Sequence, residues 1–284
     1  DATAVGRATK GADAAVHAAA VVAALDRREA EKTLDVNVTG TRTVIDAALA
    51  AGCDPVVHVS SIAAVFTPKA DVISSELPPV VHAANPYTRS KALAEELARA
   101  RQAAGEPVVI VYPGGVCGPP VGGLVGEAAT GLESILKIGC LAVTGGGINV
   151  IDARDLGQIF AAALAPGRGP RRYMAGGRLV SLAGVLDVLR AATGRRLPAV
   201  RTPGGVYRGL GRGLDGVRKV IRFDSVFTAE AMQLLTLAKD TDDSAVHDDL
   251  GIDYRDPAET LAASLRGLYA TGRLTRRQAG ALAS

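Results

Sequence analysis

An α/β fold, a doubly wound parallel sheet with a small, partly helical C-terminal lobe, is what this sequence predicts. Three observations carry the expectation. Short apolar runs alternate with helix-patterned stretches through the first half of the chain. These runs are apolar at nearly every position, as in strands covered on both faces. Glycine and proline stand at their boundaries. A β-α-β series of this kind pairs in parallel through right-handed crossovers.

The elements follow in order. The opening DATAVGRATKGADAAVHAAAVV reads as a helix and then a strand, with the apolar run DAAVHAAA at 13–20. LDVNVTGTRTVIDAALAA (34–51) has a helical pattern and stops at Gly52, a residue suited to the left-handed turn that ends helices. PVVHVSS (55–61) is the next strand. A loop rich in proline and charge leads to Asn85-Pro86, which opens the helix NPYTRSKALAEELARA. PVVIVYPGG (107–115) is a third strand. INVIDARDLGQIFAAALA (148–165) is a strand then a helix, with Asp155 the expected N-cap. SLAGVLDVLRAATG (181–194) is an amphipathic helix bounded by Ser181 and Gly194, and a last helix spans 257–269 before a basic tail. A core over residues 1–165 and a mixed lobe over 166–284, with some segments returning to the core, is the expected organisation.

Composition excludes several functions. The net charge of +3 over 284 residues is too small for a nucleic-acid surface. Cys53, Cys117 and Cys140 are far apart and form no CxxC, so neither a disulfide framework nor a zinc site is expected, and a reducing cytoplasmic setting fits. The four histidines, His17, His58, His82 and His247, lack metal-ligand spacing and read as structural. The apolar stretch at 14–25 is too short to span a bilayer, and the start of the chain shows no signal-peptide pattern. The segment 239–251 is acidic but lacks the EF-hand glycine and terminal glutamate, and reads as solvated loop. In the basic, glycine-rich segment 201–222 apolar and basic residues do not separate into a stripe. A solvated lobe surface is therefore favoured over a membrane surface or an anionic ligand.

Chemistry concentrates at Tyr87 and Lys91, four residues apart and hence on one helix face. An isolated phenol ionises near 10; a neighbouring ammonium stabilises the phenolate and makes it a usable acid/base. Such a pair also arises by chance, so its surroundings decide. Ser60 and Ser61 end the strand before this helix, and Pro113-Gly114-Gly115 end the strand after it. Carboxyl ends of parallel strands line the ligand crevice, so these groups should converge on one cleft. A hydroxyl donor beside a tunable tyrosine can polarise a carbonyl and protonate its oxygen.

With these residues the chain resembles the extended short-chain dehydrogenase/reductase superfamily, the NAD(P)-dependent epimerase/dehydratase group. GADAAVHAAA, DVNVTGTRTVIDAA, VVHVSSIAAV, PYTRSK, YPGGVCGPP and INVIDARDLGQIFAAAL occur in that family's order over about the first 165 residues. The resemblance implies a Rossmann-like core, with Tyr87 as catalytic acid/base. It makes Lys91 the group that tunes Tyr87 and holds the nicotinamide ribose, and Ser61 the group that positions the substrate oxygen. Asn37 would steady the site. Ala18, Ala19 and Ala20, together with Ser60, Pro113, Gly114 and Val116, would lie along the cofactor, NAD or NADP. For the alanines close packing is the alternative, and for Asn37 a helix-interior hydrogen bond. Pairing of two copies through the helices at 34–51 and 86–104 is implied too, with no nucleic-acid partner.

The family's glycine-rich strand-to-helix turn, which seats a pyrophosphate on a helix N-terminus, precedes none of these motifs. GLGRGLDG (209–216) lies far downstream, after no recognisable strand, and is not read as that turn. The resemblance implies a start after the first two strands of the fold, so that the roughly 50 to 60 residues carrying them would lie before residue 1. Gly115 stands where relatives acting on nucleotide sugars often carry asparagine. The loop is closer to dihydroflavonol reductase-like and 3β-hydroxysteroid dehydrogenase-like members. The expected function is hydride transfer between a nicotinamide and a small, largely apolar alcohol or ketone. A nucleotide-sugar epimerase or dehydratase, or a dinucleotide-binding protein without catalysis, are the alternatives.

Overall fold

The computed structural model describes residues 1–22, 27–143, 145–218 and 229–283. In chain order the elements begin with α1 (Ala2–Thr9), β1 (Ala15–His17), α2 (Arg27–Leu34), a π-helical turn (Asp35–Thr39) and α3 (Gly40–Ala50). Next come β2 (Val56–Val59), a 3-10 turn (Ile62–Ala64), α4 (Pro86–Ala103), β3 (Val108–Pro113) and β4 (Gly115–Cys117). The middle of the chain holds α5 (Glu127–Ile138), β5 (Leu141–Val143), β6 (Gly147–Asp152), α6 (Ala153–Ala163), β7 (Arg171–Ala175), β8 (Arg178–Ser181) and α7 (Leu182–Thr193). The remainder is β9 (Ala199–Arg201), α8 (Gly204–Arg218), α9 (Ala229–Thr236), α10 (Ser244–Leu250), α11 (Pro257–Ala270) and α12 (Arg276–Ala279).

Contacts divide the chain into two units, 1–113 with 157–175 and 242–252, and 114–156 with 176–241 and 253–284. In the first unit β1, β2, β3 and β7 form one parallel sheet in that order. The β3 run is buried at every position, which is why it shows no polar alternation. Ile45 and Ala48 of α3 and Ala98 of α4 pack with Val56, Val108, Ile110 and Tyr112 in one core. Because side chains alternate along a strand, the in-register residues His17, His58 and Ile110 share this face.

In the second unit β4 and β6 pair in parallel, β6 and β8 antiparallel, and β5 pairs with β9 in parallel. Its core gathers Leu132 and Leu136 of α5, Leu186 and Leu189 of α7, and Leu261, Leu265 and Leu268 of α11. Ser181 caps α7 by accepting from the Gly184 N–H at 3.0 Å, and Gly194 ends it in the left-handed conformation. Asp256 and Pro257 open α11 in the same fashion.

Several expectations change. The helix expected at 34–51 is interrupted by the π-helical turn, and α2 precedes it. Asp155 does not cap α6: the helix starts at Ala153, and Asp152 accepts from the Arg154 N–H at 2.8 Å. Asp155 instead lies buried in the first turn and binds Arg255 through its backbone N–H, at 2.8 Å, and its guanidinium. The segment expected as solvated loop at 239–251 contains α10, with Val246 fully buried. A short strand, β9, does precede GLGRGLDG, but those glycines lie inside α8, so they form no turn around a phosphate. Residues 23–25 of the apolar stretch and 219–222 of the basic segment lie outside the described residues. Among the described residues no helix is long and apolar enough to cross a membrane, and no group of three or more His, Cys, Asp or Glu is placed to hold a metal ion.

Gly177 shows what close strand contact demands. Its φ is +81°, and a Cβ there would lie 2.1 Å from the Val150 carbonyl oxygen. The three nearest atoms are all backbone, of Val150 and Ile151, so no flexible side chain can give way. Gly177→Ala should lower stability by roughly 2 kcal/mol or more, read as a lower midpoint in urea unfolding.

Candidate active site

Helix α4 is started by its own sequence. Asn85 Oδ1 accepts from the backbone N–H groups of Tyr87, at 2.8 Å, and Thr88, at 3.2 Å, and Pro86 occupies the first turn. Tyr87 is therefore held in the first turn of a helix, half-buried, and Lys91 follows one turn on. Lys91 is only 6% exposed, and its Nζ donates to the carbonyl of Val59, the last residue of β2, at 2.9 Å. Burial pulls the ammonium down from its ordinary value to about 8, while the charge of Glu95 pushes the other way.

Glu95, fully buried one turn farther on, is shared among several partners. It accepts from Arg99 Nε at 2.7 Å and from the Tyr112 hydroxyl in a short contact. Arg99 in turn donates to the Ser75 carbonyl at 2.8 Å and to the Tyr112 oxygen at 3.1 Å. Burial, then Glu95, raises the Tyr112 phenol far above its ordinary value, so it stays protonated as a donor.

Asn37 sits in the π-helical turn, 1% exposed. Its Oδ1 accepts from the Val21 N–H at 2.7 Å, and its Nδ2 donates to the Val21 carbonyl at 2.9 Å and to Ser90 Oγ at 2.8 Å. The Ser90 hydroxyl then donates to the Tyr87 carbonyl at 2.7 Å. One amide thus fastens the segment after β1 to the turn bearing Tyr87. A π turn re-aims a side chain by widening the helix for one turn, a device frequent at functional sites.

The other expected site residues take varied places. Ser61 is half-buried and caps the 3-10 turn, its Oγ accepting from the Ala63 N–H at 3.2 Å. That leaves the hydroxyl proton to donate. Ser60 is 3% exposed, and its backbone N–H continues the β2–β3 pairing by donating to Val111 at 2.8 Å. Ala18 and Ala19 are exposed just past the carboxyl end of β1, and Ala20 is half-buried. Pro113 closes β3 in the first unit. Gly114 and Val116 lie in the second unit, where a Cβ on Gly114 would meet the Gly176 oxygen at 2.1 Å. Close backbone packing is thus sufficient to require glycine at 114.

Four residues outside the expected set share this layer. His17 and His58 are register partners with ring centroids 5.9 Å apart. His17 Nε2 is 3.1 Å from Thr41 Oγ1, and that hydroxyl donates to the Asn37 carbonyl at 2.6 Å. Burial first, then the charge of Lys91, holds both imidazoles below their ordinary value, His58 well below it. Sequence reading took both histidines as structural, and Ser90 and Thr41 escaped it. The one available signal was a histidine inside each of two successive apolar runs.

A nicotinamide dinucleotide can be tested against these residues. Lys91 spends one of its three N–H groups on Val59, and the exposed alanines carry nothing beyond Cβ, so a ribose and the adjoining ring could approach. The residues present fit that half of the cofactor.

Comparison with known proteins bears on the family and the fold. The family model described as NAD dependent epimerase/dehydratase family matches residues 1–176. A sterol demethylase protein B of Methylococcus capsulatus is 27% identical over 90% of this chain and 77% of its own length. A protein of Synechocystis, named dihydroflavonol 4-reductase-like, is 31% identical over 62% of this chain and 53% of its own. The chain spans about half the length of that second relative. A UDP-glucose-4-epimerase from Stenotrophomonas maltophila, crystallised with NAD, shares the fold at a TM-score of 0.71 and 17% identity, covering 96% of this chain and 81% of that one.

The buried ammonium leads to a pH dependence of stability. In the unfolded chain Lys91 holds its proton up to about 10.5, and in the folded chain only to about 8. Between those values the unfolded state binds more protons, so stability should rise with pH, by on the order of 3 kcal/mol in all. Lys91→Met should remove that rise, as measured by urea midpoints from pH 7.5 to 10.5. A second expectation concerns the clamp. Asn37→Ala removes three hydrogen bonds in a buried setting and should cost roughly 2 to 4 kcal/mol, read from the same curves.

Proposed function

The chain belongs to the NAD dependent epimerase/dehydratase family, and from that membership we propose that it is an oxidoreductase interconverting a hydroxyl and a carbonyl on a small, largely apolar molecule. The observation that carries the reading is the buried ammonium of Lys91, anchored on Val59 one helical turn past Tyr87. An ammonium in that position favours the phenolate and so lets Tyr87 give and take a proton near neutral pH.

When bound, the nicotinamide supplies or accepts the hydride. The protein's own groups do the rest. Tyr87 Oη gives its proton to the substrate oxygen in reduction and recovers it in oxidation. Ser61, whose Oγ already accepts from Ala63, orients that oxygen with its hydroxyl proton. Asn37 keeps the first turn of α4 aligned through Ser90.

The substrate class rests on two supports. A Cβ on Gly115 would lie 2.9 Å from the Asn149 oxygen and 3.0 Å from Ile148 Cδ1, so the asparagine common in nucleotide-sugar enzymes at this position has no room without a backbone shift. The curated relatives are named for a sterol and a dihydroflavonol, ring systems with little charge. Pairing of two copies through the helices around Asn37 and Tyr87 belongs to the same reading, as do a reducing cytoplasmic setting for the three free thiols and a substrate-binding role for the C-terminal lobe at 166–284.

Tyr87→Phe tests the reading. It should lower turnover of an apolar ketone by about 10²–10⁴-fold and leave the dissociation constant for the nicotinamide cofactor, followed by fluorescence, within twofold. Wild-type turnover in that variant would sink the assignment of Tyr87, and turnover confined to sugar nucleotides would sink the substrate class.

A further inference from the structure

Arginines gather around one cavity of the second unit and take no part in the proposed chemistry. The segment Arg195-Arg196-Leu197-Pro198, which follows α7, lines an open cavity of about 350 Å³ together with Arg190 from the last turn of that helix. This segment is pinned by its neighbours. Arg190 Nε and Nη2 donate to the Leu197 carbonyl at 2.9 and 2.6 Å. Arg195 Nη1 donates to the carbonyls of Leu136 in α5, at 2.9 Å, and Gln278 in α12, at 3.0 Å. The Leu141 N–H of β5 donates to the Pro198 carbonyl at 3.2 Å, and Leu197 is 1% exposed.

Satisfying carbonyls near helix ends is ordinary work for arginine, and it accounts for Arg190 and for one nitrogen of Arg195. It leaves Arg196 and the rest of Arg195 unexplained. Arg196 is exposed, and neither residue pairs with a carboxylate among the described residues. Asp187, on α7, holds Arg190 Nη1 at 3.0 Å and is the one carboxylate paired there with any of the three. Glu133, in α5, is engaged by Lys137 and Arg273. Three guanidiniums and one carboxylate leave the cavity wall at +2, in a chain whose net charge is +3. Arg276 and Arg277 stand exposed on α12, the helix whose Gln278 carbonyl Arg195 binds, and add to the same positive field.

We propose that this cavity binds a phosphate group. Guanidinium forks meet phosphate oxygens through paired N–H donors, and the nitrogens of Arg195 and Arg196 that hold no other partner supply them. The two oxygens of a carboxylate would leave most of these donors unused, whereas those of a phosphate engage both side chains. Because the segment is already held in place, little freedom is lost on binding. The cavity is larger than a lone phosphate, and Leu197 and Pro198 give it an apolar wall, so part of an organic carrier also has space.

The phosphate is either a free anion or the headgroup of a lipid, and two measurements on the whole chain separate these sources. One is titration calorimetry with inorganic phosphate at constant ionic strength. The other is sedimentation with phosphatidylcholine vesicles, with and without phosphatidic acid. Arg196→Gln alters an exposed side chain that holds nothing in the fold, and it should weaken binding about tenfold. Arg196→Lys keeps the charge without the fork and should recover part of that loss. Arg7→Gln, at an exposed position on α1, lowers the net charge equally and should leave binding within twofold. An unchanged urea midpoint in Arg196→Gln separates lost binding from lost fold. Calorimetric binding that weakens in Arg196→Gln assigns the site to the free anion. Sedimentation that needs phosphatidic acid and is lost in the same variant assigns it to a lipid headgroup. Wild-type affinity in Arg196→Gln, equal losses in both glutamine variants, or binding of neither probe overturns the proposal.

Discussion

One buried ammonium organises the first unit. Lys91 can be charged inside a protein only if its remaining N–H groups and its field are accommodated by what surrounds it. The Val59 carbonyl accepts one hydrogen bond, and Glu95 supplies an opposite charge one turn away. Burial first, and the charge of Lys91 second, hold His17 and His58 below their ordinary value. Glu95 is itself buried and therefore needs Arg99 and the protonated Tyr112. Protonation on β1, β2 and β3 is thus set mainly by burial, and after it by the charges of Lys91 and Glu95.

Geometry around that charge depends on Asn37. The amide binds both backbone groups of Val21 and reaches Ser90, so it joins the segment after β1 to the turn bearing Tyr87. A regular α-helix through 34–51 would rotate the side chains after the turn out of register with α4. The π turn takes up one extra residue, and Thr41 beyond it is aimed at His17. The bonds from Asn37 to Ser90, from Thr41 to Asn37 and between His17 and Thr41 are buried, so they serve stability as well as alignment.

The second unit is governed by close backbone approach. Gly114, Gly115, Gly147 and Gly177 each place a Cα where a Cβ would fall within 3.0 Å of a backbone oxygen. Asp152, with 2% exposure, ties Arg154 to Thr260 of α11, and the bonds from Arg154 hold its carboxyl below the usual range despite burial. These contacts explain the departure at Gly115 in structural terms.

What the sequence determined by itself is what one or two helical turns or a few strand residues can encode. Asn85-Pro86 announces a helix start, so the common face of Tyr87 and Lys91 was legible before any fold was known. Ser181 and Gly194 bound α7 for the same reason, and unbroken apolar runs marked the buried parallel strands. The tertiary structure alone decided what depends on partners distant in the chain. Asn37 finds Val21 sixteen residues away and Ser90 fifty-three away. Asp155, a plausible cap by local pattern, goes instead to Arg255, one hundred residues on, and Asp152 takes its place. The pairing of His17 with His58 follows from strand register. The burial of Lys91 follows from layers packed over it. Local spacing is written into the chain, but the dielectric around a charge is made by everything folded against it.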